Sequence, residues 1–366
     1  MRVLILGAYG FFGSRISAAL ARNPRLQLLL AGRDLTKATA LAYQLGLTAQ
    51  HAKRIDGSDP RLATQLKKLG VKLLIHTAGP FQKQDYHVAQ AAIEAGCHYF
   101  DLADGRDFVN GISRLDAAAQ AAQVALVSGV SSLPALTCAV VDDYLPQFSR
   151  LDVIRTGISS GALVPGIATV RGIFSYCGKP FRALEDGQWI DVYGWLDRRA
   201  HEFPRPVGPR VFGRCDVPDL ALLPVRYPGI RTASFHAGFA SFTGHRLVEW
   251  LAEKVQDGRL KSALPFANLF YWVARRVQPL VSDTGGMFIR LEGLSIDGAP
   301  LELTWMLLAH ENHGPNIPCA PAIALTNKIA DGFTPPAGAM ACMGLLTLDE
   351  ILEPLKGLRI REVSPL

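Results

Sequence analysis

The hydrophobic rhythm of this chain changes about a third of the way along. Val3–Leu6 is an uninterrupted apolar run, the pattern of a strand buried on both faces, and it leads directly into glycines. A helix follows from about Phe11 to Arg22, closed by Asn23-Pro24. Gln27–Ala31 reads as the second strand and Leu35–Leu45 as the second helix, ending at Gly46. A strand ending near Ile55 precedes a helix opened by Asp59-Pro60. Lys72–His76, Asp85–Ala95, His98–Asp101, Asp107–Ala122 and Val124–Val127 continue the alternation. Repeated βαβ units predict an α/β fold of Rossmann type, a doubly wound parallel sheet with helices on both faces.

Beyond Pro134 the pattern shortens and breaks. β-like runs at Val153–Ile158, Thr169–Tyr176, Ala233–Phe239, Gly286–Leu291 and Leu301–Ala309 are interrupted by helical stretches at Arg246–Val255 and Phe266–Val277. This predicts a second, α+β substrate domain. From Gly314 the chain turns helical again at Ala320–Ala330. The expected division is a Rossmann domain over 1–130, the α+β domain over 131–313, and a C-terminal segment over 314–366 with the option of returning to pack on the first domain. Within Phe266–Val277, Phe266, Leu269, Phe270, Val273 and Val277 share one helical stripe, with Tyr271, Trp272, Arg275 and Arg276 toward other faces. The reading favoured here is a helix packed internally or against a partner subunit, so no tight membrane association is expected.

Composition narrows the function classes. With 366 residues, 49% hydrophobic and 19% charged, the chain is globular and long enough for two domains. A net charge of +6 suits anionic small molecules, but Lys and Arg are scattered without a basic block, which argues against nucleic acid. The cysteines form no CxxC pair, so no metal is expected, and a reduced, cytoplasmic protein is. No signal peptide is recognised, and no apolar run reaches the roughly 18 to 20 residues of a membrane span.

The strongest chemical signal is the strand followed by Gly7-Ala8-Tyr9-Gly10-Phe11-Phe12-Gly13. Glycines here permit a tight turn, close backbone approach to a pyrophosphate, and close packing of helix on strand. The helix start then offers free N–H groups and a positive dipole end to phosphate. After the second strand, Gly32-Arg33-Asp34 presents two alternatives. Arg33 suits the 2′-phosphate of NADP, whereas Asp34 is either a ribose ligand or the N-cap of the next helix. The expected cofactor is NADP(H). Asp56, after the third strand, is a further candidate, either for the adenine or as a loop-solvating carboxylate.

Four residues are candidates for the reaction itself, without an assigned catalytic acid. His76 closes a buried strand, Asp101 and Asp104 lie at the carboxyl edge of the next, and Tyr176 ends a run that begins near Arg171. If that run is a regular strand, Arg171 and Tyr176 face opposite sides. His310 and His313 read as a loop pair and not as metal ligands.

The turn, the Gly-Arg-Asp, the loop Thr77-Ala78-Gly79-Pro80-Phe81 and the stretch Gly96-Cys97-His98-Tyr99-Phe100-Asp101-Leu102 occur in an order that resembles saccharopine dehydrogenase-like (saccharopine reductase-type) oxidoreductases. The resemblance covers roughly the first third. It implies a Rossmann domain followed by a substrate domain with a cleft between, and a Thr77–Phe81 loop running along the cofactor toward the nicotinamide. It also implies NADP-dependent hydride transfer on an amino-acid-derived (imine or secondary amine) or lipid-like substrate. Where saccharopine reductases carry an acidic turn, this chain has Ser128-Gly129-Val130-Ser131-Ser132-Leu133-Pro134, which argues against saccharopine itself. The alternative is a catalytically weak Rossmann protein that keeps the nucleotide as a structural or sensory ligand. The expected partners are a small-molecule substrate and, as an option, a second copy of the chain.

Overall fold

A computed structural model describes residues 1–161, 164 and 166–365. The chain begins β1 (Arg2–Leu6), α1 (Gly13–Leu20), β2 (Gln27–Gly32), α2 (Leu35–Gln44), β3 (Ala52–Arg54), α3 (Leu62–Leu69), β4 (Leu73–His76), α4 (His87–Ala95) and β5 (His98–Asp101). The predicted Asp107–Ala122 helix is divided into α5 (Arg106–Gly111) and α6 (Asp116–Ala121), with a 3-10 turn after Gly111. A glycine in mid-helix weakens it enough for that break. β6 (Ala125–Ser128) follows.

The next stretch comprises α7 (Thr137–Tyr144), β7 (Phe148–Ser160), α8 (Ile167–Tyr176), β8 (Pro180–Glu185), β9 (Gln188–Tyr193), β10 (Arg199–Glu202), β11 (Pro209–Arg214), α9 (Asp219–Arg226) and β12 (Thr232–Phe239). It continues with α10 (Phe242–Gln256), α11 (Ala267–Val277), β13 (Gly285–Ser295) and β14 (Pro300–Ala309). The chain ends with α12 (Ala320–Ala330), β15 (Gly338–Ala341), α13 (Leu348–Leu352) and β16 (Ile360–Val363).

One expectation is corrected outright: Thr169–Tyr176 is not a strand but most of α8. Its β-branched residues mislead because packing overrides propensity. Its buried positions, Val170, Gly172 and Phe174, keep the every-second-residue spacing of a strand, so the local pattern does not mark the helix. Arg171 and Tyr176 therefore lie about 140° apart around a helix, and the strand-parity argument lapses.

The chain divides into two compact units. The first holds residues 1–136 and 316–354, the second 137–315 and 355–366, so the segment 314–366 is shared between them. The first unit contains a seven-stranded parallel sheet in the order β15-β6-β5-β4-β1-β2-β3. Val3, Leu4 and Ile5 of its central strand are fully buried, as the continuous apolar run requires. The second unit contains a mixed nine-stranded sheet along the path β10-β11-β12-β7-β13-β14-β16, with β8 and β9 joined beside β12. β7 and β12 pair in parallel there, while β13 runs antiparallel to both β7 and β14.

Candidate functional site

From β1 the chain winds to β2 and β3 on one side, then crosses back to place β4 on the other. The reversal lies between β1 and β4, and such points open a crevice at the carboxyl ends of the strands. Ala31, Leu6, His76 and Asp101 form a single rung across β2, β1, β4 and β5 at that edge. Loops leaving the rung therefore begin side by side.

The first loop is the glycine turn, and each glycine has a steric reason. Gly7 has φ +87, and a Cβ there would stand 2.7 Å from Thr77 Oγ1. A Cβ on Gly13 would lie 2.2 Å from the Gly7 carbonyl oxygen, and one on Gly10 3.0 Å from the same atom. Gly7 O accepts from Gly10 N at 2.8 Å, which closes the turn and brings α1 against β1. The first N–H groups of α1 have no partner within the helix, as at any helix start. Behind the turn, Arg15 donates to the Phe11 carbonyl and lies over the Phe11 ring at 4.4 Å, and Cys319 Sγ reaches the Phe12 carbonyl at 3.7 Å. Ala8 is fully buried, while Tyr9, Phe11 and Phe12 stay partly open.

Tyr9 has a role that sequence reasoning missed. Its hydroxyl accepts from the Asp34 N–H at 2.9 Å, and a Cβ on Gly32 would collide with its ring at 2.5 Å. Gly32 thus lets Tyr9 lie across the end of β2. The motif Gly-Arg-Asp contains the clue, because a glycine at a strand end invites a ring or a ligand to approach the backbone.

Arg33 and Asp34 separate cleanly. The Asp34 carboxylate accepts from Lys37 N at 3.1 Å and pairs with Lys37 Nζ at 3.6 Å, so it caps α2. Arg33 is exposed, and its guanidinium makes no hydrogen bond among the described residues. Asp56 stands close to it. Hydrogen bonds from Ser58 N and Oγ, helped by the Arg33 charge, hold the Asp56 carboxyl below its usual range.

The second loop follows β4. Leu6 O accepts from both Thr77 N and Thr77 Oγ1 at 2.9 Å, which ties this loop to the end of β1. Ala78 and Pro80 are exposed, and Ala78 O accepts from Gln84 Nε2 at 3.2 Å. Phe81 turns back into the core against His76, at 5.0 Å between ring centres, and Phe108, at 5.3 Å. A Cβ on Gly79 would come no closer than 3.4 Å to any atom, that of the Phe81 ring. The surrounding protein therefore gives little reason for glycine at that position. A space-filling neighbour outside the chain would give one.

His76 and Asp101 are buried beneath these loops, not exposed in them. His76 Nδ1 shares a hydrogen bond with the Tyr99 hydroxyl at 3.1 Å, and burial pushes its imidazole down to about 4. It is neutral near pH 7. Asp101 Oδ1 accepts from Gly129 N at 2.8 Å, Ser128 Oγ at 2.9 Å and Ala103 N at 3.0 Å. Burial still pushes this carboxyl up to about 6, against the pull of those donors. The arrangement stitches the ends of β5 and β6 together. Asp104 is exposed and accepts from Gln82 Nε2 at 3.1 Å. Tyr176 belongs to the second unit, at the end of α8. Among the described residues no His, Cys, Asp or Glu cluster could hold a metal ion.

Residues 3–127 match the family described as the saccharopine dehydrogenase NADP binding domain. Over these residues the chain is similar to that domain. That match agrees with the resemblance carried by the glycine turn and the Thr77–Phe81 loop, and it spans β1 to β6. The whole chain also aligns with solved structures. One is an apo, histidine-tagged saccharopine dehydrogenase (L-Glu forming) from Saccharomyces cerevisiae, with TM-score 0.67 and 16% identity over 99% of this chain and 100% of that one. Another is a homospermidine synthase from Legionella pneumophila in complex with NAD, with TM-score 0.59 and 11% identity over 99% and 91%. A third is an amine dehydrogenase from Mycobacterium smegmatis, with TM-score 0.52 and 11% identity over 93% and 94%. At such identities the likeness establishes the fold alone. No curated protein sequence matches the chain.

Proposed function

We propose that this chain is an NADP(H)-dependent oxidoreductase that transfers hydride to or from an imine or secondary amine derived from an amino acid, or a lipid-like substrate. The observation that carries the cofactor preference is the division of labour after β2. Asp34 caps α2, while Arg33 beside it is exposed and makes no hydrogen bond among the described residues. A carboxylate that caps a helix and pairs with Lys37 is less available to ribose hydroxyls, and a 2′-phosphate needs a free guanidinium.

The residues fit a dinucleotide. The Gly7–Gly13 turn has no room for side chains at its glycines and would bring backbone N–H groups to the pyrophosphate. Tyr9, Arg33 and Asp56 would bound the adenosine end. When bound, NADP supplies the hydride-carrying nicotinamide. Thr77 Oγ1 and N fix the start of the second loop, and His76, through its packing on Phe81, positions the loop's far end. Ala78, Gly79 and Pro80 would then face the ring. Neutral His76 acts in this scheme by holding Phe81, not by giving up a proton. The amine-derived class agrees with the names of the solved neighbours, and the missing acid over Ser128–Pro134 disfavours saccharopine as the substrate.

The test is direct. Fluorescence titration of the purified protein should give tighter binding of NADPH than of NADH. Turnover of NADPH should then appear within a panel of amine and oxo-acid pairs and of enoyl and keto lipids. Tighter binding of NADH refutes the cofactor reading. Nucleotide binding without turnover on any member of the panel refutes the enzymatic one.

A further inference from the structure

The stretch Phe266–Val277, which its sequence pattern suggests is packed away, is largely open. In α11 only Ala267 is buried, and Phe270 packs inward on Phe174 and Phe239, at 5.1 and 5.8 Å between ring centres. Beside it on the helix lie Phe266, Leu269, Trp272, Val273, Val277 and, just past the helix, Leu280, whose exposures run from 38% to 88%. At about 100° per residue these six span one continuous face. Arg276 lies within that face with its guanidinium 4.8 Å from the centre of the Trp272 ring, and Arg275 flanks it over Tyr271. Between Asp257 and Asp283 the chain carries Arg259, Lys261, Arg275 and Arg276 and no carboxylate.

We propose that α11 docks this protein reversibly on an anionic lipid surface. Charge decides between the two natural occupants of such a face. In a self-complementary contact the same patch is present on both partners, so a second copy would bury Arg276 against a stretch, 258–282, that supplies no carboxylate. At a bilayer the apolar side chains enter the boundary between headgroups and acyl chains, while the guanidiniums reach lipid phosphates. No helix among the described residues is long and apolar enough to cross a membrane, so the attachment is peripheral. This inference does not depend on the redox reading.

The experiment is flotation of the full chain with vesicles of phosphatidylcholine, with and without phosphatidylglycerol, at low and high salt. Binding should require the anionic lipid and fall with salt. Leu269→Ser combined with Trp272→Ser should abolish it, and Arg275→Gln combined with Arg276→Gln should weaken it by on the order of tenfold. These positions are exposed, so circular dichroism and melting should be unchanged. Binding that ignores the anionic lipid or both double variants overturns the proposal. So does a lipid-free dimer, seen by sedimentation velocity, that Leu269→Ser with Trp272→Ser dissociates, because the face would then belong to a second copy.

Discussion

Replacing Arg33 by alanine isolates the contact that should distinguish the two nicotinamide cofactors. The side chain caps no helix and holds no strand, so its loss leaves β2 and α2 intact, with Asp34 still capping through Lys37 N. A charge-assisted bond between guanidinium and phosphate contributes about 1.5–3 kcal/mol. Arg33 is exposed, so solvent and salt screen it and the lower end applies. About 1.4 kcal/mol corresponds to a tenfold change in Kd, so Arg33→Ala should weaken NADPH by about tenfold and leave NADH within about twofold. The neighbouring Asp56 sharpens the contrast. With Arg33 gone, its carboxylate repels the 2′-phosphate unopposed, and Asp56→Asn in the Arg33→Ala background should recover part of the loss. Fluorescence titration of both cofactors at low and moderate salt reads all of this. Equal weakening of NADPH and NADH would refute the reasoning, since the residue would then support the adenosine end generally. Loss of NADH binding in Asp34→Ala, with the helix still formed, would transfer the role to Asp34.

Three further outcomes follow from the same geometry. Gly79→Val should cut kcat sharply with little change in affinity for adenosine 2′,5′-bisphosphate; unchanged turnover removes the loop from the site. Gly13→Ala should cost at least about 2 kcal/mol of stability and abolish nucleotide binding, because its Cβ would stand 2.2 Å from the Gly7 carbonyl oxygen; a normal melt would contradict this packing. Asp101, pushed up to about 6 by burial, contributes stability fully below its unfolded value near 3.8 and loses it as pH rises through 6, by about 3 kcal/mol at pH 8. Asp101→Asn keeps an oxygen for the Gly129, Ser128 and Ala103 donors, so its melts between pH 4 and 8 should be flatter than the parent's, and parallel curves would show that Asp101 does not titrate there.

The parallel sheet was legible because strands buried on both faces are written as unbroken apolar runs, as in Val3–Leu6. The glycine turn was legible because steric need for glycine leaves a spacing. The second unit was harder. In α8 a run of Thr, Val, Ile and Tyr has strand propensity, and the buried Val170, Gly172 and Phe174 alternate as strand residues do, so nothing local marks the helix. The largely exposed β9 and β10 carry no alternation strong enough to mark them. Contacts such as Tyr9 with Asp34, or Asp101 with Gly129, join residues distant in sequence and leave no local periodicity to read. Openness of α11 was illegible for a related reason: an apolar stripe has the same spacing whether its other side is protein, lipid or water.

The seventh strand of the first sheet has a consequence for how this chain can be made and cut. β15 pairs with β6 through Gly338–Ala341 and Ala125–Ser128, and α12 lies behind the glycine turn at Phe12. A ribosome must therefore synthesise some two hundred residues after β6 before the nucleotide-binding sheet can gain its last strand. Until then β6 is an unpaired edge and the apolar bed for α12 is uncovered, which is the state most open to aggregation and to chaperones. A gene fragment ending near residue 136 would be held in that state permanently. A circular permutant that joins 316–354 ahead of Met1 would instead encode the first unit without interruption.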